Sequence, residues 1–176
     1  MLYPVPVVML SCGEFDKPNI ITVAWAGTIC SEPAMLSVSI RPSRYSHEII
    51  SKTGEFVVNL TTQKMVFATD YCGVKSGREI DKFKECKLTP VKASFVKAPL
   101  IKESPINIEC KVVEIKKLGS HDMFIANVMA VNADEKYIDK NGAFDLQSAD
   151  PICYSHGQYY TLGKKLGGFG FSVKKK

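Results

Sequence analysis

Short apolar runs broken by turn formers set the pattern of the first third of the chain. Pro4 to Ser11, Asn19 to Thr28 and Ala34 to Ile40 are rich in Val, Ile and Thr, and Gly13-Glu14-Phe15-Asp16-Lys17-Pro18 and Ser31-Glu32-Pro33 separate them. Branched side chains suit a pleated, half-buried surface and glycine and proline favour reversals, so the pattern predicts consecutive antiparallel strands. Further along, Ile106, Ile108, Cys110 and Val112 alternate with Asn107, Glu109 and Lys111, which predicts a strand with one wet face. Its partner is Met123 to Val131, returning through a reversal around Gly119.

Helices interrupt the strands. Ser46-His47-Glu48-Ile49-Ile50-Ser51-Lys52 starts with an N-cap residue, carries Glu48 in its first turn and stops near Gly54. Thr62 to Tyr71 places Met65, Val66, Ala68 and Thr69 at helical spacing, with Gly73 as its end, and Glu55 to Leu60 between the two helices reads as another strand. Six-residue strands with a few short helices between them predict a mainly β fold, a small antiparallel β-barrel that is closed or nearly closed. Closure removes strand edges that would otherwise pair with other chains.

Composition narrows the class. With 176 residues, 45% hydrophobic and 23% charged, the chain can bury a core as one domain. The longest apolar run, Val5 to Leu10, contains Pro6 and falls far below the roughly 20 residues of a bilayer-spanning helix, so no membrane partner is expected. No basic residue precedes it as a secretory signal would require, which points to a cytoplasmic location. The net charge of +5 resides in Gly163 to Lys176, which holds Lys164, Lys165, Lys174, Lys175 and Lys176 and no acid, so residues 1–162 sum to zero. We divide the chain into a domain at 1–162 and a lysine-rich tail at 163–176. The tail reads as a solvated end rather than a nucleic-acid site.

Six widely spaced cysteines without a Cys-x-x-Cys motif read as reduced thiols, and Cys153 with His156 lacks the second pair that a zinc site needs. No metal is expected. Gly167-Gly168-Phe169-Gly170 lies at the tail and not between a strand and a helix, so it is no phosphate loop.

Three segments hold polar chemistry. Arg41-Pro42-Ser43-Arg44-Tyr45-Ser46-His47 brings two guanidinium groups and several hydroxyls to a helix start, where free N–H groups and the macrodipole favour an anion. A capped helix with surface arginines has the same composition. Ser76-Gly77-Arg78-Glu79-Ile80-Asp81-Lys82-Phe83 repeats those ingredients in a loop, and two such clusters together favour a phosphorylated ligand. Thr22-Val23-Ala24-Trp25-Ala26-Gly27-Thr28 sets the only tryptophan among small residues, which suits either a flat ligand lying on the backbone or simple core packing.

Over nearly its whole length the chain resembles flavin reductase-like proteins of the flavoredoxin type. The resemblance runs in order through Pro4-Val5-Pro6-Val7-Val8-Met9-Leu10-Ser11, Asn19-Ile20-Ile21-Thr22-Val23-Ala24-Trp25, and Ser31-Glu32-Pro33 with Leu36-Ser37-Val38-Ser39-Ile40. It continues through Gly54-Glu55-Phe56-Val57-Val58-Asn59-Leu60, Ser76-Gly77 with Asp81-Lys82-Phe83, Ala98-Pro99-Leu100-Ile101 and Glu109-Cys110-Lys111-Val112. It ends with Gly119-Ser120-His121-Asp122-Met123-Phe124 and Tyr160-Thr161-Leu162-Gly163. After the His121 motif, Ala126-Asn127-Val128 replaces the family's usual Gly-Glu-Val.

The resemblance implies an antiparallel split β-barrel that binds FMN as a homodimer. By position it implies that Thr22, Ala24, Trp25, Ala26 and Thr28 line the flavin ring and that Ser39, Ile40 and Arg41 flank the ring and ribityl chain. Ser43, Arg44, Ser46 and His47, with Ser76, Gly77, Arg78 and Lys82, would take the phosphate. His121 would stand at the reactive face as the catalytic residue, or simply be hydrogen-bonded within its turn. The implied activity is electron transfer from NADH or NADPH through the flavin to an acceptor. The alternatives are a flavoredoxin-type carrier that reacts poorly with nicotinamide and, more distantly, a nucleic-acid-binding barrel of the oligonucleotide-binding type.

Overall fold

The computed structural model describes residues 2–173. Lys174, Lys175 and Lys176 of the tail lie outside the described residues. Among the described residues, twelve strands and three α-helices follow in chain order: β1 (Val5–Pro6), β2 (Val8–Cys12), β3 (Asn19–Val23), β4 (Ala26–Ser31), β5 (Ala34–Ile40), α1 (Tyr45–Thr53) and β6 (Glu55–Leu60). Then come α2 (Val66–Val74), α3 (Lys82–Glu85), β7 (Pro90–Val91), β8 (Leu100–Ile101), β9 (Ile106–Lys117), β10 (Asp122–Ala133), β11 (Ile152–Ser155) and β12 (Gln158–Thr161).

Seven strands form one antiparallel sheet in the order β3-β2-β6-β9-β10-β5-β4. Its two edge strands, β3 and β4, are consecutive in the chain and separated only by Ala24 and Trp25. The sheet must therefore curl until its ends meet, and the Ser39 N–H donates to the Trp25 carbonyl at 2.9 Å across that corner. This is the split barrel. It also breaks the expected single strand at Asn19–Thr28 into two.

Alternate side chains of each strand point into the barrel. Leu10, Ile21, Val38, Ile40, Phe56, Cys110 and Phe124 fill it and Ile50 of α1 plugs one end. Each such side chain contributes about 1.5–3 kcal/mol by leaving water. On the outside, Met65 at the start of α2, Ala68 and Cys72 within it and Phe83 of α3 cover Met9 and Ile20. A separate three-stranded sheet, β1-β11-β12, lies beside the barrel. Pro6, which has no N–H for a central ladder, ends β1, so the apolar run at Pro4–Ser11 feeds two sheets rather than one.

Three further expectations change. Gly73 does not end α2: the helix runs through it to Val74, and a Cβ there would meet Thr22 Cβ at 3.3 Å, so the missing side chain serves the close approach of helix to strand. Ser46 does not cap α1. Arg44 holds the N-cap position without a side-chain bond, while Ser46 is buried and accepts a hydrogen bond from Asn19 Nδ2 at 2.8 Å. The wet face of β9 is also partly dry, because Asn107 and Glu109 are buried. The Glu109 carboxylate accepts from the backbone N–H groups of Ser94, Phe95 and Val96 and from Asn132 Nδ2, fastening the preceding loop. Gly54 and Gly119 do adopt the positive φ their turns require, at 68° and 103°.

Candidate functional site

The barrel corner, the strand-to-helix step after β5 and the C-terminal end of α2 meet around two adjoining cavities. The larger, about 420 Å³, is lined by Thr22, Ala24, Trp25, Ser39, Ile40, Arg41, Arg44 and His121. The smaller, about 190 Å³, is lined by Ser43, Arg44, Ser46, Ser76, Gly77 and Lys82, together with Asn19 and Lys75. Ile21, Arg44 and Gly73 border both, so the two lie side by side.

Local chemistry fixes each wall. The Thr22 hydroxyl donates to the Thr69 carbonyl at 2.6 Å, tying β3 to α2. Trp25, at the turn where β3 leaves the sheet, stacks on His121 with ring centroids 4.4 Å apart and a tilt of 48°. His121 is held by the Gly119 reversal, with Nδ1 2.9 Å from Ser120 Oγ. Burial and then the Arg41 cation hold its imidazole below the ordinary histidine range, which favours the uncharged form.

In the smaller cavity Lys82 Nζ donates to the carbonyls of Ile20 at 2.7 Å and Cys72 at 2.8 Å. Two of its three donors therefore clamp β3 to α2, leaving one for the cavity it borders. Burial pushes its pKa below the usual lysine value. Gly77 allows the loop to press on Asn19, since a Cβ there would sit 1.9 Å from Asn19 Oδ1.

Four residues expected at the site border neither cavity. Ala26 and Thr28 lie on β4, beyond the corner. His47 Nε2 instead stands 2.8 Å from Asp122 Oδ2 and its ring meets Phe124 edge-on, joining α1 to β10. Arg78 is exposed, pairs with Glu48 at 2.7 Å and stacks over Tyr45, supporting the cavity wall from outside. Sequence reasoning missed a third wall: Tyr3, Tyr154 and Tyr159, which come from the small sheet and the segment before it. Tyr159 Oη donates to Asp70 Oδ1 at 2.9 Å, fastening that sheet to α2. The tyrosine-rich segments Tyr3 and Tyr154–Tyr160 were the available signal, but nothing local joins them.

A cavity walled by an indole, an imidazole and small residues, beside an arginine- and serine-lined one, has the lining that suits an aromatic ligand with an anionic tail. The sequence profile of the flavin reductase like domain matches residues 1–163. The chain belongs to the flavin reductase-like family. Within that family it is similar to the flavoredoxin of Desulfovibrio vulgaris (Miyazaki F), with 33% identity, a TM-score of 0.91 and 99% of this chain and 95% of that one covered. The flavoredoxin from Methanosarcina acetivorans superposes with a TM-score of 0.90 at 31% identity, covering 99% and 93% of the two chains. A protein of Archaeoglobus fulgidus is 32% identical over 160 residues, 91% of this chain and 89% of its own. This flavin reductase-like chain thus has a flavin-related oxidoreductase role. Among the described residues, no helix is long and apolar enough to cross a membrane.

Proposed function

We propose that the protein is an FMN-binding oxidoreductase that passes electrons from NADH or NADPH, through the flavin, to an acceptor, and that it works as a cytoplasmic homodimer. The observation that carries the reading is that the two cavities meet at Arg44: the lining of one suits an isoalloxazine ring, and the charge of the other suits a phosphate. Thr22, Ala24, Trp25, Ser39 and Ile40 face the ring, while Ser43, Arg44, Ser76, Lys75 and Lys82 hold the phosphate and Gly77 gives it room. Arg41 lies between them.

When bound, FMN supplies the hydride acceptance and electron release that the protein's own side chains lack. The residues position and tune it. Trp25 and His121 cover the slot and exclude water. The uncharged His121 accepts or donates a hydrogen bond without adding a second cation beside Arg41. Arg44 fixes the register between ring and phosphate, because its side chain belongs to both cavities.

The similarity to two flavoredoxins supports a second reading, a carrier that binds FMN but reacts poorly with nicotinamide. One experiment separates them. The purified protein is reconstituted with FMN and should acquire an absorption band at about 450 nm and quench flavin emission. Rapid anaerobic bleaching on adding NADH or NADPH marks the reductase, and a yellow protein that bleaches only with another donor marks the carrier. A protein that stays colourless defeats both readings.

A further inference from the structure

The segment after β12 is unlike a solvated tail. Leu166 is 93% exposed, Phe169 108%, Phe171 64% and Val173 81%. Four large apolar side chains within eight residues face water, where a freely solvated end would carry polar ones. The segment is nevertheless shaped. Phe171 N–H donates to the Gly168 carbonyl at 3.0 Å and Val173 N–H to that of Gly170 at 3.2 Å. Phe171 packs so closely over Gly167 that a Cβ there would meet its ring at 2.7 Å. It is a preformed apolar knob detached from its own barrel.

An apolar face of matching character lies exposed on α2. Val66, Phe67 and Val74 are 37%, 70% and 66% exposed, and Tyr71 stacks on Phe67 at 5.7 Å with an interplanar angle of 22°. The spacing puts these residues on one side of the helix, around Asp70 and away from Met65, Ala68 and Cys72 in the core. Tyr159 of β12 bonds Asp70 in the middle of that face, so each knob begins beside its own α2 and still leaves Phe67 and Val74 exposed.

We infer that the knob of one copy packs on the α2 face of a second copy, and that the exchange walls the larger cavity, which Asp70, Gly73 and Val74 of α2 border. The inference rests on the homodimer proposed above. Two phenylalanines with a leucine and a valine carry roughly 500 Å² of apolar surface per knob. Two knobs with two receiving faces therefore bury about 2,000 Å², the scale of a stable dimer.

The test is photo-crosslinking with Phe169 replaced by p-benzoylphenylalanine, in a mixture of ¹⁴N- and ¹⁵N-labelled full-length chains, with peptides assigned by mass. The expected product joins the 163–173 segment to the α2 peptide in mixed-isotope pairs. Crosslinks within one copy, onto another face of the partner, or none at all overturn the inference. In parallel, Leu166→Ser/Phe169→Ser in the full chain should raise the dimer dissociation constant and the FMN dissociation constant each at least fivefold. Values within twofold of the parent overturn it as well. Light scattering and FMN titration of the parent keep the failures apart: a dimer that binds FMN but lacks the crosslink removes only the exchange, a monomer removes the homodimer with it, and loss of FMN binding in the parent removes the flavin reading.

Discussion

Gly77→Ala tests the tightest contact beneath the smaller cavity. The added Cβ would lie 1.9 Å from Asn19 Oδ1 and 2.7 Å from its Cγ, where ordinary contact begins near 3.4 Å, so one side must retreat by about 1.5 Å. Asn19 is buried and donates to Ser46 Oγ at 2.8 Å. If the amide swings away, that bond is lost and two buried polar groups seek partners, at a cost of about 1–3 kcal/mol. If the loop moves instead, Ser76 and the α2 terminus are carried away from the smaller cavity, where we place the phosphate. Either way the FMN dissociation constant should rise about tenfold or more, equivalent to about 1.4 kcal/mol, and urea unfolding should show a matching loss of stability. The Asn19→Ala/Gly77→Ala pair should cost less than the sum of its parts, because the first change removes the obstacle to the second. Binding within twofold of the parent, with an unchanged unfolding midpoint, would refute the argument.

Arg44→Ala should weaken FMN by about 1.5–3 kcal/mol, the value of a charge-assisted bond. Arg78→Ala should change it less than twofold, because its exposed pair with Glu48 is worth under about 1 kcal/mol; fluorescence titration of both compares them directly. Burial pushes the Glu109 carboxyl up, but bonds from Ser94, Phe95, Asn132 and Val96 outweigh it and hold its pKa below the usual value. Its stabilisation is thus present above the unfolded carboxylate pKa and lost as pH falls through the folded one. Glu109→Gln, which turns an amide NH₂ toward those donors, should lower stability at pH 7 by about 1–3 kcal/mol and flatten the acid limb of the stability curve measured by urea unfolding. Burial pushes the thiols of Cys12, Cys72 and Cys110 up to about 12, so at pH 8 a chromogenic disulfide reagent should find no more than three of the six cysteines until denaturant is added. A fast native reaction of four or more would contradict that burial.

The strand pattern was legible because Val, Ile and Thr runs between turn formers impose a period that packing then uses. The Asn19–Thr28 break escaped, since barrel closure and not local propensity bends the chain at Ala24 and Trp25. Gly73 misled for a related reason: glycine ends helices and also lets a helix touch a strand, and only the neighbouring Thr22 shows which. Glu109 read as a wet-face residue because the loop that buries it lies about fifteen residues earlier in the chain. At the site, the sequence placed Arg41, Ser43 and Arg44 together before α1, and all three border the cavities. Arg78 and His47 carry the same letters but are spent on Glu48 and Asp122, and composition cannot distinguish a free charge from a committed one.

The two-residue span between β3 and β4 also governs how the molecule comes apart. The larger cavity takes its walls from β3, one edge of the hydrogen-bonded array, and from β5, next to the other edge, so neither half of that array holds a complete slot. Opening the corner between them takes the seat apart. Loss of flavin on heating should accordingly coincide with collapse of the whole barrel instead of preceding it, and bound coenzyme would serve as a reporter of global cooperativity.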